Sequence, residues 1–543
     1  MTRAPALLTS KTPPIPSPRF TSKPAPRSIR HMRLRHILPL LLILNACQSK
    51  KAEPVAKAEP ASQGPTATAE TAPKADIRRS VVRINSTQQT WNLGQPWEKN
   101  PPSRRRALAA IVGPQRVLTT SELVADSTYL EFESPDGTLF AQAKVLAVDY
   151  EANLALLGPA SESEGKLLFE NTDPLDLTTP PKIGQTLGVL QIEDNGLPLL
   201  TSGNVQSIDV TSNFLPGHGF LTYLVKASMQ SAASSYSLPV LQGEKLAGIL
   251  ISYNSKDQIC EVASTDIVSR FLLESADGDY KGFPSLGISI ARTEDTSFRQ
   301  WLKLTDDQGG IYIHNVRKGG AAETAGVKKG DVLLGVDGQQ IDRRGFYQHP
   351  NYGSLFWGHL IRGEKSTGDT VTLSIIRDGK PLEIKAILTR EEESARLVPG
   401  YNFGKAPNYL VIGGLLFQEL TRPLLEAYGE NWQVRAPLDF LDALQNPEKY
   451  EGKVDRIVFL SGSIPTPATV GYESLRNLIV RKVNGKEIKN MKSLIEAFRG
   501  NLGERHSIEF TGEDIVVYLD DATSSDVDAQ LLKRGIPRLS RSE

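Results

Sequence analysis

From Ile77 to Ala276 the chain is a succession of short apolar segments broken by turn residues, and this pattern restricts the fold more than any other feature. Val81–Ile84, Ala107–Val112, Tyr129–Phe132, Leu139–Val148, Leu187–Ile192, Phe220–Val225 and Leu246–Ser252 read as strands. Pro135-Asp136-Gly137 marks a tight turn between two of them, because Asp-Gly favours positive φ. Many short strands at regular spacing imply an all-β sandwich or a pair of barrels.

The 543 residues have room for about three domains at roughly 150 residues each. Lys+Arg and Asp+Glu are equal at 62, but the first 46 residues hold eight bases and no acid. Without them 54 bases face 62 acids, a mildly acidic balance that gives no case for nucleic acid. Two cysteines, Cys47 and Cys260, exclude a disulfide framework and a cysteine-based metal site. No zinc, phosphate-loop or nucleotide motif is present, so no cofactor or metal is expected.

Residues 1–46 read as a signal region. Met32-Arg33-Leu34-Arg35 leads into the apolar run Ile37–Leu44 and the small Ala46 before Cys47, a secretory signal too short to span a bilayer. Residues 1–31 are Pro-rich and basic and fit no part of such a signal, so translation is expected to start at Met32. The ending resembles a bacterial lipobox, which implies a lipidated Cys47 and an envelope protein anchored to a membrane. Residues 47–76 are rich in Ala, Pro, Glu, Thr and Lys and read as a disordered tether with a reach on the order of 30 Å.

Three segments carry a family resemblance: Arg116–Asp126, Asp149–Leu157 and Ser234–Leu241. In order and spacing they resemble the His, Asp and Ser segments of the Deg/HtrA family of trypsin-like serine proteases. The resemblance implies a double β-barrel over 77–276 with a cleft between the barrels. It also places Glu122 where the family has histidine, Asn153 where it has aspartate, and Tyr236 where it has the nucleophilic serine. The family's glycine-rich oxyanion run is here Ser234–Pro239, without glycine, and the only histidine in 77–276 is His218. On these residues the chain is expected not to be an enzyme but a pseudoprotease.

Residues 280–391 form a second unit. Ile311 and Ile313 alternate on a strand, Ala321–Gly326 is a short helix ended by glycine, and Gly330-Asp331 turns into another strand. This unit resembles a PDZ domain of the bacterial protease type. Residues 400–521, with Asn484-Gly485 and an amphipathic helix carrying Met491, Leu494, Ile495 and Phe498, resemble a second, more divergent PDZ domain, and 522–543 read as a C-terminal helix or tail. The fold class is therefore mainly β: a trypsin-like double barrel followed by two α+β PDZ domains, small partly open barrels in the plant-type Deg arrangement.

A PDZ domain adds a peptide as an extra strand beside its own edge and captures the terminal carboxylate in a preceding loop. By the resemblance, Ser285, Leu286, Gly287 and Ile288 form that loop in the first domain, and Gly413, Gly414, Leu415, Leu416 and Phe417 occupy the equivalent place in the second. Leu355 and His359 are candidates to face the first groove, with core packing of an inserted segment as the competing reading. The expected function is binding of peptide C-termini or unfolded proteins, as adaptor, holdase or regulator of an active homologue, in a homo-oligomer that the family implies is a trimer. One alternative is an active endopeptidase using Lys226 as base beside Ser228, Ser231, Ser234 or Ser235. The other is a structural lipoprotein whose PDZ grooves are filled by its own segments.

Overall fold

The computed structural model describes residues 76–542 except 194, 230–236, 392 and 500–504. The signal region, Cys47, the tether and Tyr236 lie outside the described residues.

Six strands, from Val81–Gln88 to Leu154–Pro159, close into one barrel in the order first, second, third, sixth, fifth, fourth. Their apolar residues divide by alternation. Val82, Ile84, Ala109, Ile111, Val117 and Phe132 fill the barrel, while Val81, Leu108, Ala110, Leu118 and Leu156 join a larger core shared with the second barrel. That double burial is why Ala107–Val112 reads as an unbroken apolar run.

Six more strands, from Thr186–Ile192 to Ile259–Ser264, close the second barrel. Its longest strand, Pro198–Ser212, escapes sequence reading because its residues are mostly exposed or half-buried, which leaves no apolar stripe. The helix Thr265–Glu274 follows. Ser264 caps its N-terminus by accepting the Ile267 N–H, and Ile267, Val268 and Phe271 pack inward.

The next sheet runs Ile288–Ala291, Ile311–Val316, Val332–Val336, Thr370–Arg377, Lys380–Ile387, with Gln339–Gln340 pairing to its third strand. Ile288–Ala291 pairs only with Ile311–Val316 among the described residues and is an edge. Between the third and fourth strands an insertion forms the hairpin Phe346–His349/Gly353–Phe356 and the short helix His359–Arg362. It docks on the second barrel: the Tyr352 hydroxyl donates to Asp266 (2.9 Å), Arg270 Nε to the Gly363 carbonyl (3.2 Å), and the Arg362 guanidinium lies over Phe220. Leu355 and His359 are accordingly buried at 0% and 4% exposure, so they are core, not groove.

The last sheet has eight strands. Its edge is the chain's own end, Ser540–Arg541, paired to Tyr409–Ile412. The helix Met491–Arg499 lies over it, burying Met491, Leu494, Ile495 and Phe498 as its spacing predicts.

Candidate functional site

Glu122 and Asn153 come together at the end of the first barrel. Asn153 adopts φ 55°, a left-handed conformation that asparagine tolerates better than most residues. Its Oδ1 accepts from the Ser121 hydroxyl (3.1 Å) and the Glu122 N–H (3.0 Å), and its Nδ2 donates to Asn213 Oδ1 (2.9 Å). Asn153 thus ties the short helix Ser121–Val124 to a loop of the second barrel. The Glu122 carboxylate is taken by Arg105 Nη1 at 2.6 Å. Ser237, beside Tyr236, bonds across the barrels to the Thr119 hydroxyl (2.5 Å) and accepts the Thr120 N–H (3.1 Å).

Lys226 is exposed at a strand end and donates to the Asp257 carbonyl, so it lacks the desolvation that makes lysine a base. Cys260 is fully buried beside Met229 Sδ at 3.6 Å, and burial pushes its thiol up to about 11, which keeps it protonated.

The loop Ser285–Ile288 is built for close approach. Gly287 has φ 71° and donates its N–H to Ser285 Oγ (3.1 Å). The Leu286 and Gly287 carbonyls are held inward by the Ala322 N–H (2.9 Å) and the Arg317 N–H (2.8 Å). Leu286 is buried, while Ser285, Gly287 and Ile288 open onto a cavity of about 920 Å³. Its other walls are the 215–218 loop of the second barrel, the 389–401 linker and the segment from Ala443 to Arg456.

Two PDZ domain models match, over residues 284–388 and 398–542. Among curated proteins, the Arabidopsis thaliana "Protease Do-like 4, mitochondrial" is 25% identical over 441 residues, 81% of this chain and 80% of that protein. "Protease Do-like 2, chloroplastic" of the same plant is 26% identical over 468 residues, 85% of this chain and 75% of that one. The solved structure "HtrA-type protease AlgW with decapeptide" overlays 58% of this chain and 98% of its own at 16% identity and TM-score 0.44. The chain carries two PDZ domains and is similar along most of its length to proteins named Do-like proteases.

That similarity corrects the expectation of a non-enzyme. The proteins that this chain matches across four-fifths of its length are named proteases. Of the three positions read as replaced, Tyr236 lies outside the described residues.

The second PDZ domain departs from the sequence reading. Gly413 and Gly414, at φ 58° and 97°, close a hairpin between Tyr409–Ile412 and Leu415–Glu419. The strand expected to receive a peptide therefore has both edges taken, by Tyr409–Ile412 on one side and Val458–Ser463 on the other. Thr466 Oγ1 donates to the Gly413 carbonyl (2.7 Å), and the Gly413 N–H donates to Asp528 (2.8 Å). Leu415 and Phe417 are fully buried and Leu416 packs against Val527 and Leu531. These five residues build the sheet; they do not line an open groove.

Sequence reasoning missed two clusters, the first because its members lie far apart along the chain. His218 Nδ1 lies 3.0 Å from Glu151, and its Nε2 lies 3.5 Å from Glu393 on the linker. Arg362 of the first PDZ domain meets Glu151 at 3.1 Å, and Arg396 meets Glu393 at 2.7 Å. Burial alone would lower the histidine, but the two carboxylates outweigh it and raise it. Nearby, Phe403 packs on Tyr150 and Phe214 with centroids at 4.3 and 5.3 Å, and the Gly404 N–H donates to Asp126 (2.7 Å). The linker is thereby fastened beside Asn213 and Asn153.

The second cluster, His349, His359 and Glu364, has donors within 4.8 Å of one another. His349 Nδ1 accepts the Asn351 and Tyr352 N–H groups (3.2 Å each), which places its proton on Nε2 and removes the lone pair a metal needs. The Glu151–His218–Glu393 group is already neutralised by Arg362 and Arg396.

Proposed function

We propose that this chain captures peptide C-termini or unfolded segments in its first PDZ domain, on a frame of the Deg/HtrA type. One observation carries the reading: the edge strand Ile288–Ala291 and its glycine loop open onto a peptide-sized cavity, whereas the corresponding strand of the second domain is covered. Added as a further strand, a peptide gains main-chain hydrogen bonds from Ile288–Ala291. Ile288 offers apolar surface to its last side chain, whereas Leu286, expected to line the pocket, is buried in the core beneath the loop. The second domain acts as a wall of that cavity and not as a second receptor.

The signal region and Cys47 support a lipid-anchored location in a bacterial envelope, and self-association, with a trimer as the family's form, belongs to the same reading. Cleavage of the captured segment is a second reading, favoured by the names of the matched relatives.

Fluorescence anisotropy with labelled peptides bearing free C-termini tests capture. Gly287→Trp should abolish binding while keeping the far-UV spectrum of the parent, at a cost of about 1–2 kcal/mol in stability because φ there is 71°. Equal binding by the variant would sink the reading. Unfolded casein in the same incubation reports on the second: fragments that persist in Gly287→Trp would mean a hydrolytic centre independent of the groove.

A further inference from the structure

Seven Arg or Lys side chains and four Asp or Glu line the cavity at the Ser285–Ile288 loop, and three of the bases, Arg362, Arg390 and Arg422, are paired to Glu151, Asp149 and Glu426 outside it. Three of the lining acids already have partners. Glu391 is shared by Arg317 and Arg396, Glu393 faces Arg396 and His218, and Asp455 accepts from Asn490 Nδ2 at 2.9 Å. Arg317 and Arg396 thus compete for one carboxylate. Burial, followed by repulsion from Arg396, brings Arg317 down to about 10, still fully charged at neutral pH.

The placement of the other bases, not a surplus, sets the charge beside the loop. Arg317 is anchored to the loop through its N–H bond to the Gly287 carbonyl (2.8 Å). With Lys318 it follows directly on Ile311–Val316, the strand paired to the edge Ile288–Ala291. Both side chains face the cavity, and Arg456, bonded to the Ser394 carbonyl, faces it from the second PDZ domain. Positive charge on two walls of a partly enclosed space attracts an anion more strongly than the same charges spread over open surface.

We propose that the segment captured here is an acidic C-terminal tail. Its terminal carboxylate sits at Ser285–Ile288, and Asp or Glu in the preceding few residues meet Arg317, Lys318 and Arg456. This rests on the reading of Ser285–Ile288 as the peptide site. Arg317 and Lys318 are then the specificity-determining residues, and a tail of the same shape with Asn and Gln binds less well.

The test compares three labelled decapeptides on the full chain by anisotropy: one ending in Asp-Glu before an apolar terminal residue, its Asn-Gln counterpart, and the acidic peptide with a C-terminal amide. The acidic free-carboxylate peptide should bind about tenfold tighter than its neutral counterpart. That margin should shrink between 50 and 500 mM salt, as screening dictates. Lys318→Gln, at an exposed position, should narrow the margin while leaving the neutral peptide unchanged; Arg317→Gln should weaken the acidic peptide more than the neutral one, and Arg317→Lys should restore most of the margin. Equal affinity for acidic and neutral peptides, or equal weakening of both by Arg317→Gln, overturns the acidic preference alone. Failure of all three peptides to bind overturns the peptide site itself.

Discussion

Glu151→Gln tests how the barrels, the first PDZ domain and the linker are held as one body. Glu151 is buried, faces His218 and Arg362, and its carboxyl is held at about 2 against an ordinary 4.5. Burial by itself would raise it; the hydrogen bond from His218 and the charges of Arg362, His218 and Arg390 overcome that and hold it ionised. The gap corresponds to roughly 3 kcal/mol of preference for the ionised form in the folded chain. Glutamine keeps the shape but leaves Arg362 and His218 without their counter-charge, so a loss of about 2–3 kcal/mol is expected. The pH dependence has a definite sign. A depressed carboxyl contributes fully above 4.5, and its contribution is lost as pH falls from there towards 2. His218, whose folded pKa is raised, contributes fully below 6.5 and loses its share as pH rises through that raised value. The difference between parent and variant should therefore be greatest at pH 4.5–6.5 and fall to about half by pH 3. Urea unfolding followed by tryptophan fluorescence at pH 3, 5.5 and 9, with the His218→Gln single and double variants, measures it. A gap that is the same at pH 3 and 5.5, or a coupling between the two substitutions below about 0.5 kcal/mol, would refute the argument.

Asn153→Ala removes the acceptor for Ser121 and Glu122 and places alanine in a left-handed conformation, so it should cost about 2–4 kcal/mol in the same urea assay. Deleting residues 539–543 strips the strand Ser540–Arg541 and the stacking of Arg541 on Trp91 (4.7 Å), exposing Tyr409–Ile412. Light scattering should then report concentration-dependent association beyond whatever assembly the full chain forms. Cys260 should stay silent to a disulfide reagent at pH 8 in the folded chain and react at once in urea; rapid labelling without denaturant would contradict its burial.

Seven of the twelve barrel strands were legible because alternation and turn residues are local properties, as at Val81–Ile84 and Pro135-Asp136-Gly137, whereas Pro198–Ser212, without an apolar stripe, was not. The two-PDZ organisation was legible for the same reason, through motifs such as Gly330-Asp331 and Asn484-Gly485. The occlusion of the second domain was not, since a Gly-Gly pair before an apolar strand suits a carboxylate loop and a hairpin turn equally well. Only the pairing of Tyr409–Ile412 decides between them. The aromatic insertion 343–363 looked like groove or core from its composition. Its docking on Asp266, Arg270 and Phe220 joins residues about 90 to 140 positions apart, beyond the reach of any periodicity.

The hairpin at Gly413-Gly414 has a consequence for how strongly the molecule can hold a partner. On the proposed reading, with one strand edge open and the other closed, each chain is monovalent toward peptides. A partner with several tails gains no avidity from a single copy, whatever the number of PDZ folds it carries. Avidity arises only when copies assemble, and then its size follows the spacing between first domains and the length of the partner's tails. Retention of a multi-tailed client therefore depends on the oligomer, and tuning that assembly changes residence time without altering one residue of the groove.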